Sequence, residues 1–297
     1  MRFPGLLGLA FALLVVSAVA SPAAARPAGS VVFSASRDGD HDLYRVAAAG
    51  GPVTRLTRNR SSDAAPAVSP NGRLVAFVSD RDGDEEIFVM RLDRTALWQV
   101  TSNRAADHSP AWSPNGRHLV FASDRSADFE VYAAGRHGGD VRRLTRSPGF
   151  DVQPAWSPDG RRIAFASTRV GGQFDVYSMR RDGSDVRRLT FEAGTEEEEP
   201  VADMAPAWSP DGARIAFSST RGGVIDDLWT MGADGSELVQ ATATAFVDEW
   251  TPHFSPDGEW LLFTASSLAG GVRIAVARVD GSERRRLAGG LFASWAP

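Results

Sequence analysis

From Ser30 onward, short runs of apolar and aromatic residues alternate with polar clusters rich in Gly, Pro, Asp and Asn. One cycle reads Ala155-Trp156-Ser157, a turn at Pro158-Asp159-Gly160, Arg162-Ile163-Ala164-Phe165-Ala166-Ser167, a polar loop and Asp175-Val176-Tyr177-Ser178-Met179. A second turn, Arg181-Asp182-Gly183-Ser184, leads to Val186-Arg187-Arg188-Leu189-Thr190. Every run has strand length, carries branched or aromatic residues and is bounded by turn formers, which predicts consecutive β-hairpins. The stretch Pro154 to Gly160 recurs as Pro66 to Gly72, Pro110 to Gly116, Pro206 to Gly212 and Pro252 to Gly258, its serines spaced by 44, 44, 52 and 46 residues. A period of that size means one supersecondary unit repeated, and four antiparallel strands per unit describe a propeller blade.

The two ends complete one another. The chain enters the pattern at the second strand of a unit, Val31 to Ala35, followed by Asp42 to Val46 and Val53 to Thr57. The missing inner strand stands at the other terminus, where Phe292 to Pro297 aligns with the inner strands and Trp295 falls where other units have tryptophan. The expectation is an all-β fold: one domain over residues 30–297, a six-bladed propeller of four-stranded antiparallel blades. The C-terminal strand is expected to complete the first blade, which removes the open edges. Trp112, Trp156, Trp208 and Trp295 are expected to pack between blades. The irregular fifth unit carries eight extra residues before Pro206, including Glu196 to Glu199, and is expected to be a hydrated loop.

The stretch 154–190 closely resembles the TolB-type propeller repeat, the WD-like repeat of periplasmic TolB, and the resemblance covers residues 31–297. It implies the propeller fold. For function it implies less, because such repeats occur in binding proteins and in the gating propellers of prolyl-oligopeptidase-like enzymes. TolB proper carries an α/β domain before its propeller, whereas here only a leader precedes Ser30, so a Tol-system role does not follow. The propeller of that family is nonetheless the part that receives the peptidoglycan-associated lipoprotein. The chain has no Gly-x-Ser-x-Gly elbow and no length left for a hydrolase domain.

Residues 1–25 read as a secretory signal: Arg2, an apolar run from Leu6 to Val16, and small-residue sites at Ala18 to Ala20 and Ala23 to Ala25. Export to the periplasm, cell envelope or medium is expected, with no stable membrane insertion after cleavage. Removing the segment takes the formal charge from −5 to −6, since Arg2 is its one charged residue. An acidic chain of this kind is not expected to bind nucleic acid. There is no cysteine, so disulfides and thiolate metal sites are excluded.

Three residues before each blade proline stand Asp63, Asp107, Asp151, Asp203 and Glu249, and the repeat places them around one mouth of the channel. Unpaired, such a ring would repel itself. Arg37, Arg81, Arg125, Arg169 and Arg221 follow the second strands, and an acid opens the third at Asp42, Glu86, Glu130, Asp175 and Asp227. In the sixth unit Ser267 and Arg273 replace both roles, which points to a structural charge network. Function is therefore sought where symmetry fails: Phe150, Phe246, Trp250 and His108 on the same mouth, and His253 in an inner strand. Aromatics beside acids suit a sugar or a cationic side chain.

The expected function is binding of a cell-envelope protein or peptide, or of a small ligand, by a monomer through an acidic channel mouth, without catalysis. The alternative is a metal-dependent hydrolase or lyase acting on polysaccharide or peptide, with Asp107, His108 and His253 as its cluster. A cation at this mouth would be Ca2+ or another divalent ion, with Asp107, Asp151 and Asp203 as ligands.

Overall fold

The computed structural model describes residues 27–191 and 201–296; the leader at 1–25 and the Glu196 to Glu199 run lie outside the described residues. Six four-stranded antiparallel sheets form the ring, each running from an inner strand at the channel to an outer strand at the rim. Blade 4 is representative, with strands Asp151–Trp156, Arg162–Ser167, Asp175–Arg180 and Arg187–Arg188. Blade 1 takes its inner strand, Leu291–Ala296, from the far end of the chain and pairs it with Ser30–Ser36, setting Trp295 opposite Val31.

The core is divided into six clusters, each shared by two neighbouring blades. At the centre of each second strand a phenylalanine (Phe33, Phe77, Phe121, Phe165, Phe217 or Phe263) is fully buried. Each such ring contributes roughly 1.5–3 kcal/mol by leaving water. Stability therefore resides in the interfaces between blades, and the closing strand completes the sixth of them.

The motif Ser-Pro-Asp-Gly is a self-contained turn. Ser157 Oγ donates to Asp159 Oδ1 at 2.7 Å and accepts from Arg162 N at 2.9 Å, while Gly160 takes φ +69°. The Ser157 hydroxyl and, at 3.0 Å, the Arg161 amide both donate to Asp159 Oδ1 and hold its carboxyl below its usual range. Two boundaries differ from the sequence reading. The outer strand of blade 4 has only two residues, because Thr190 Oγ1, rather than further ladder bonds, accepts from Val176 N at 2.9 Å. Inner strands also begin earlier than expected, at the acid itself, and carry a bulge before the proline.

Candidate functional site at the channel and its entry face

The bulges shape the channel wall. In each inner strand the residue before the blade proline or its equivalent is left-handed: Ala65, Ser109, Gln153, Ala205, Thr251 and Phe292 have φ between 48° and 53°. The ladder skips these positions, as between Val152 and Ala155. A side chain in this region costs about 1–2 kcal/mol relative to ordinary backbone, and a residue before proline avoids helical backbone as well. Six such positions in one ring mark it as a place of constraint. Two of their amides are satisfied sideways: Ala205 N donates to Gln153 Oε1 at 2.9 Å and Phe292 N to Thr264 Oγ1 at 3.1 Å.

All six bulge residues line a central cavity of about 460 Å³, walled mainly by alanine, proline and tryptophan. Trp112, Trp208 and Trp295 span neighbouring blades, each Nε1 donating to the inner-strand carbonyl of Ala67, Ala155 or His253 at 2.9–3.2 Å. The Trp156 indole N–H is enclosed there without an acceptor among the described residues. His253 also lines the wall, and burial lowers its imidazole to about 4, so it is neutral at physiological pH.

The predicted acids lie beside this cavity, buried in the blade junctions. Asp63, Asp107, Asp151 and Asp203 are 0–1% exposed. Arg81 Nη2 reaches Asp63 Oδ1 at 2.7 Å, Arg125 Nη2 reaches Asp107 Oδ2 at 2.8 Å, Arg169 Nη2 reaches Asp151 Oδ2 at 2.7 Å, and Arg221 closes on Asp203. The arginines that follow the second strands thus pair with the inner-strand acids. The third-strand acids Asp42, Glu130 and Asp175 take Arg55, Arg143 and Arg188 from the outer strands instead.

Three of the six junctions depart from the rule: that of blades 6 and 1 has neither acid, and in the other two a glutamine, Gln99 or Gln240, stands where the outer-strand arginine is found elsewhere, Gln240 Nε2 donating to Asp227 Oδ2 at 3.0 Å. Gln99 replaces the outer-strand arginine in blade 2, so Glu86 is bound by the Asn103 backbone and side-chain amides, and Asn103 Nδ2 also donates to Asp107 Oδ2 at 2.9 Å. Burial, with Asp107 adding to it, pushes Glu86 up to about 7. In blade 6 Glu249 is fully buried and paired with Arg284, and burial pushes its carboxyl up.

The remaining predicted residues are divided between wall and rim. His108 lines the cavity, with Nε2 3.2 Å from Glu85 Oε2 and its ring 5.4 Å from that of Phe129. Phe129 in turn meets Phe150 at 6.3 Å. Phe246 is 80% exposed and Phe150 is exposed. Trp250 is half-buried beside Asp226, whose carboxyl is raised by burial and by Asp248. Asp107, His108 and His253 do not gather into one cluster, since Asp107 is held by Arg125 and Asn103 outside the cavity wall. Among the described residues no group of three or more His, Asp or Glu side chains is placed to hold a metal ion. Sequence reasoning passed over Gln153 and Phe292 as site residues. The signal was available in the position before each proline, which varies among Ala, Ser, Gln and Thr while the proline recurs.

Comparison with known proteins bears on this arrangement. Overlapping stretches at residues 15–107, 64–147 and 95–203 match the TolB beta propeller domain and together cover more than half of the chain. The chain belongs to the TolB beta propeller family. Its fold is similar to that of TolB from Acinetobacter baumannii, with a TM-score of 0.79 at 23% identity over 91% of this chain and 67% of that one. A putative TolB from Agrobacterium tumefaciens aligns with a TM-score of 0.70 at 23% identity, over 90% of this chain and 91% of that one. An uncharacterized protein of Agrobacterium fabrum is 33% identical over 90 residues, 30% of the length of each. The matched segment thus spans under a third of that relative.

Proposed function

We propose that this TolB-family propeller is an exported binding module that holds a polypeptide segment across its entry face and into the channel, without chemistry of its own. The observation that carries this reading is the apolar rim. Phe150, Val170, Val224, Phe246 and Leu268 stand exposed on loops of the entry face, and Phe292 connects them to the channel wall. Exposed apolar side chains grouped at one opening suit a protein partner. The buried acids do not compete with this role, because their charges are held by arginines inside the junctions. Export rests on residues 1–25.

The test is selection of binders from a random peptide library on the purified protein, followed by titration calorimetry. Selected peptides should bind Phe246→Ser with Phe292→Ser at least about tenfold more weakly, with little change in melting temperature because both side chains face solvent or the cavity. Equal affinity for the variant would refute the rim as the site. Turnover of a polysaccharide or peptide by the protein would replace the binding reading with an enzymatic one.

A further inference from the structure

The junction between blades 6 and 1 inverts the charge of the others. Elsewhere an acid opens the third strand of one blade, a second acid opens the next inner strand, and in most of these junctions an arginine from the next second strand stacks above it. In the junction of blades 2 and 3 these are Glu86, Asp107 and Arg125, with Asn103 Nδ2 bonded to both acids. At the junction of blades 6 and 1 the corresponding positions hold Arg273, Gly290 and Arg37. The backbone frame is retained: Gly290 N donates to Val272 O as Asp107 N donates to Glu85 O. Two carboxylates and one guanidinium have become two guanidinium groups.

Arg37 keeps the seat its counterparts use. Its guanidinium lies 4.6 Å from the Tyr44 ring centre, against 4.7 Å for Arg81 over Phe88, 4.8 Å for Arg125 over Tyr132 and 4.9 Å for Arg169 over Tyr177. What differs is the partner. Among the described residues neither Arg37 nor Arg273 pairs with a carboxylate; Arg273 Nη1 donates to Ser267 Oγ at 3.4 Å. Asp38, adjacent in the chain to Arg37, turns away to Arg55 at 2.6 Å. The missing acid cannot be restored from Gly290, where a Cβ would come within 2.6 Å of Ser34 O and of the Phe33 ring at φ +150°. Arg37 is exposed, whereas Arg81, Arg125 and Arg169 are largely covered.

We propose that this junction binds a carboxylate supplied from outside the ring, held by Arg37 on its aromatic seat and supported by Arg273. A guanidinium fork matches a carboxylate in two parallel hydrogen bonds. Charge neutralisation of two unpaired cations then adds to the binding. Arg37 and Arg273 do not line the channel cavity, although Arg273 is bonded to Ser267, the neighbour of Leu268 on the rim.

The experiment follows the arginine Nε–Hε resonances of the intact protein by NMR while succinate, or a short peptide carrying two glutamates, replaces chloride at constant ionic strength. Shifts at Arg37 and Arg273 that saturate are expected, with affinity falling about tenfold in Arg37→Gln and in Arg273→Gln. The wild-type readout needs no variant to fold. Saturation by succinate as strong as by the peptide would assign a free organic acid, and saturation by the peptide alone would assign an acidic polypeptide. Shifts equal to those of chloride, tighter saturation by inorganic phosphate, or a peptide of the same sequence with glutamine binding equally well would overturn the proposal.

Discussion

Arg169 Nη2 donates to Asp151 Oδ2 at 2.7 Å across an interval of 18 residues, and the same interval joins Arg81 to Asp63, Arg125 to Asp107 and Arg221 to Asp203. The pair ties the start of an inner strand to the loop after the second strand of the same blade. Because Asp151 is fully buried and Arg169 is 17% exposed, losing either partner strands a charge. Arg169→Met should therefore cost about 3 kcal/mol, near the lower end for a broken buried pair. Adding Asp151→Asn should recover part of that loss. Denaturant unfolding of the two single variants and the double variant checks this, and additive losses would mean that the two groups do not interact.

Two buried groups give opposed pH dependences. Glu86 is raised from 4.5 to about 7, so its folded form prefers the proton: its contribution is complete below pH 4.5 and is lost as pH rises through 7. His253 is lowered from 6.5 to about 4, so its folded form excludes the proton: its contribution is complete above pH 6.5 and is lost as pH falls through 4. Between those values the slopes cancel in the wild type. Relative to wild type, Glu86→Gln should make stability rise more steeply with pH, and His253→Asn should make it fall, each by at most about 1.4 kcal/mol per pH unit. Unfolding titrations between pH 4.5 and 7.5 measure both, and parallel curves for all three proteins would discard the two assignments.

The ring was legible in the sequence because its signals are local and repeated: strand-length apolar runs bounded by turn formers, Ser-Pro-Asp-Gly turns, and a lone inner strand at the end. The site was less legible for three physical reasons. The bulge before each proline carries Asp151 into a junction and turns Gln153 to the channel, and no hydropathy pattern reports a φ of 51°. The acids open the inner strands, as the repeat indicates, yet their burial against arginines depends on packing between neighbouring blades, which the repeat does not report. The pairing of Glu249 with Arg284 joins the inner strand of blade 6 to the approach of its outer strand, off the register that the repeat suggests.

Closure depends on the six residues of the strand Leu291–Ala296. Trp295 is 7% exposed, sits in the cluster shared by blades 6 and 1, and donates to His253 O at 3.1 Å. Trp295→Ala should cost about 3–5 kcal/mol, as for a large aromatic removed from a core. Ending the chain at Gly290 should leave the edges of blade 1 unpaired and produce either loss of cooperative unfolding or association through the open edge. Calorimetry and light scattering distinguish these outcomes from a stable monomer, which would show that closure is dispensable.

Blade 6 reaches neutrality by another route, and that route can be reversed. The position 18 residues after Glu249 is Ser267, which has no charge to offer. Arg284 instead crosses from the approach to the outer strand, places its guanidinium 5.3 Å from the Phe263 ring centre and reaches Glu249. Arg169 holds the matching seat in blade 4, 5.1 Å from Phe165, so both arginines use one kind of place from opposite directions. Arg284→Met should cost about 3 kcal/mol at pH 8 and less at pH 5, where a buried Glu249 without its cation takes up a proton. Adding Glu249→Asp with Ser267→Arg rebuilds the spacing of the other blades and should recover most of the loss at pH 8. Failure of that rescue, with the fold intact by circular dichroism, would mean that the Ser267 turn of blade 6 cannot deliver an arginine to the Phe263 seat.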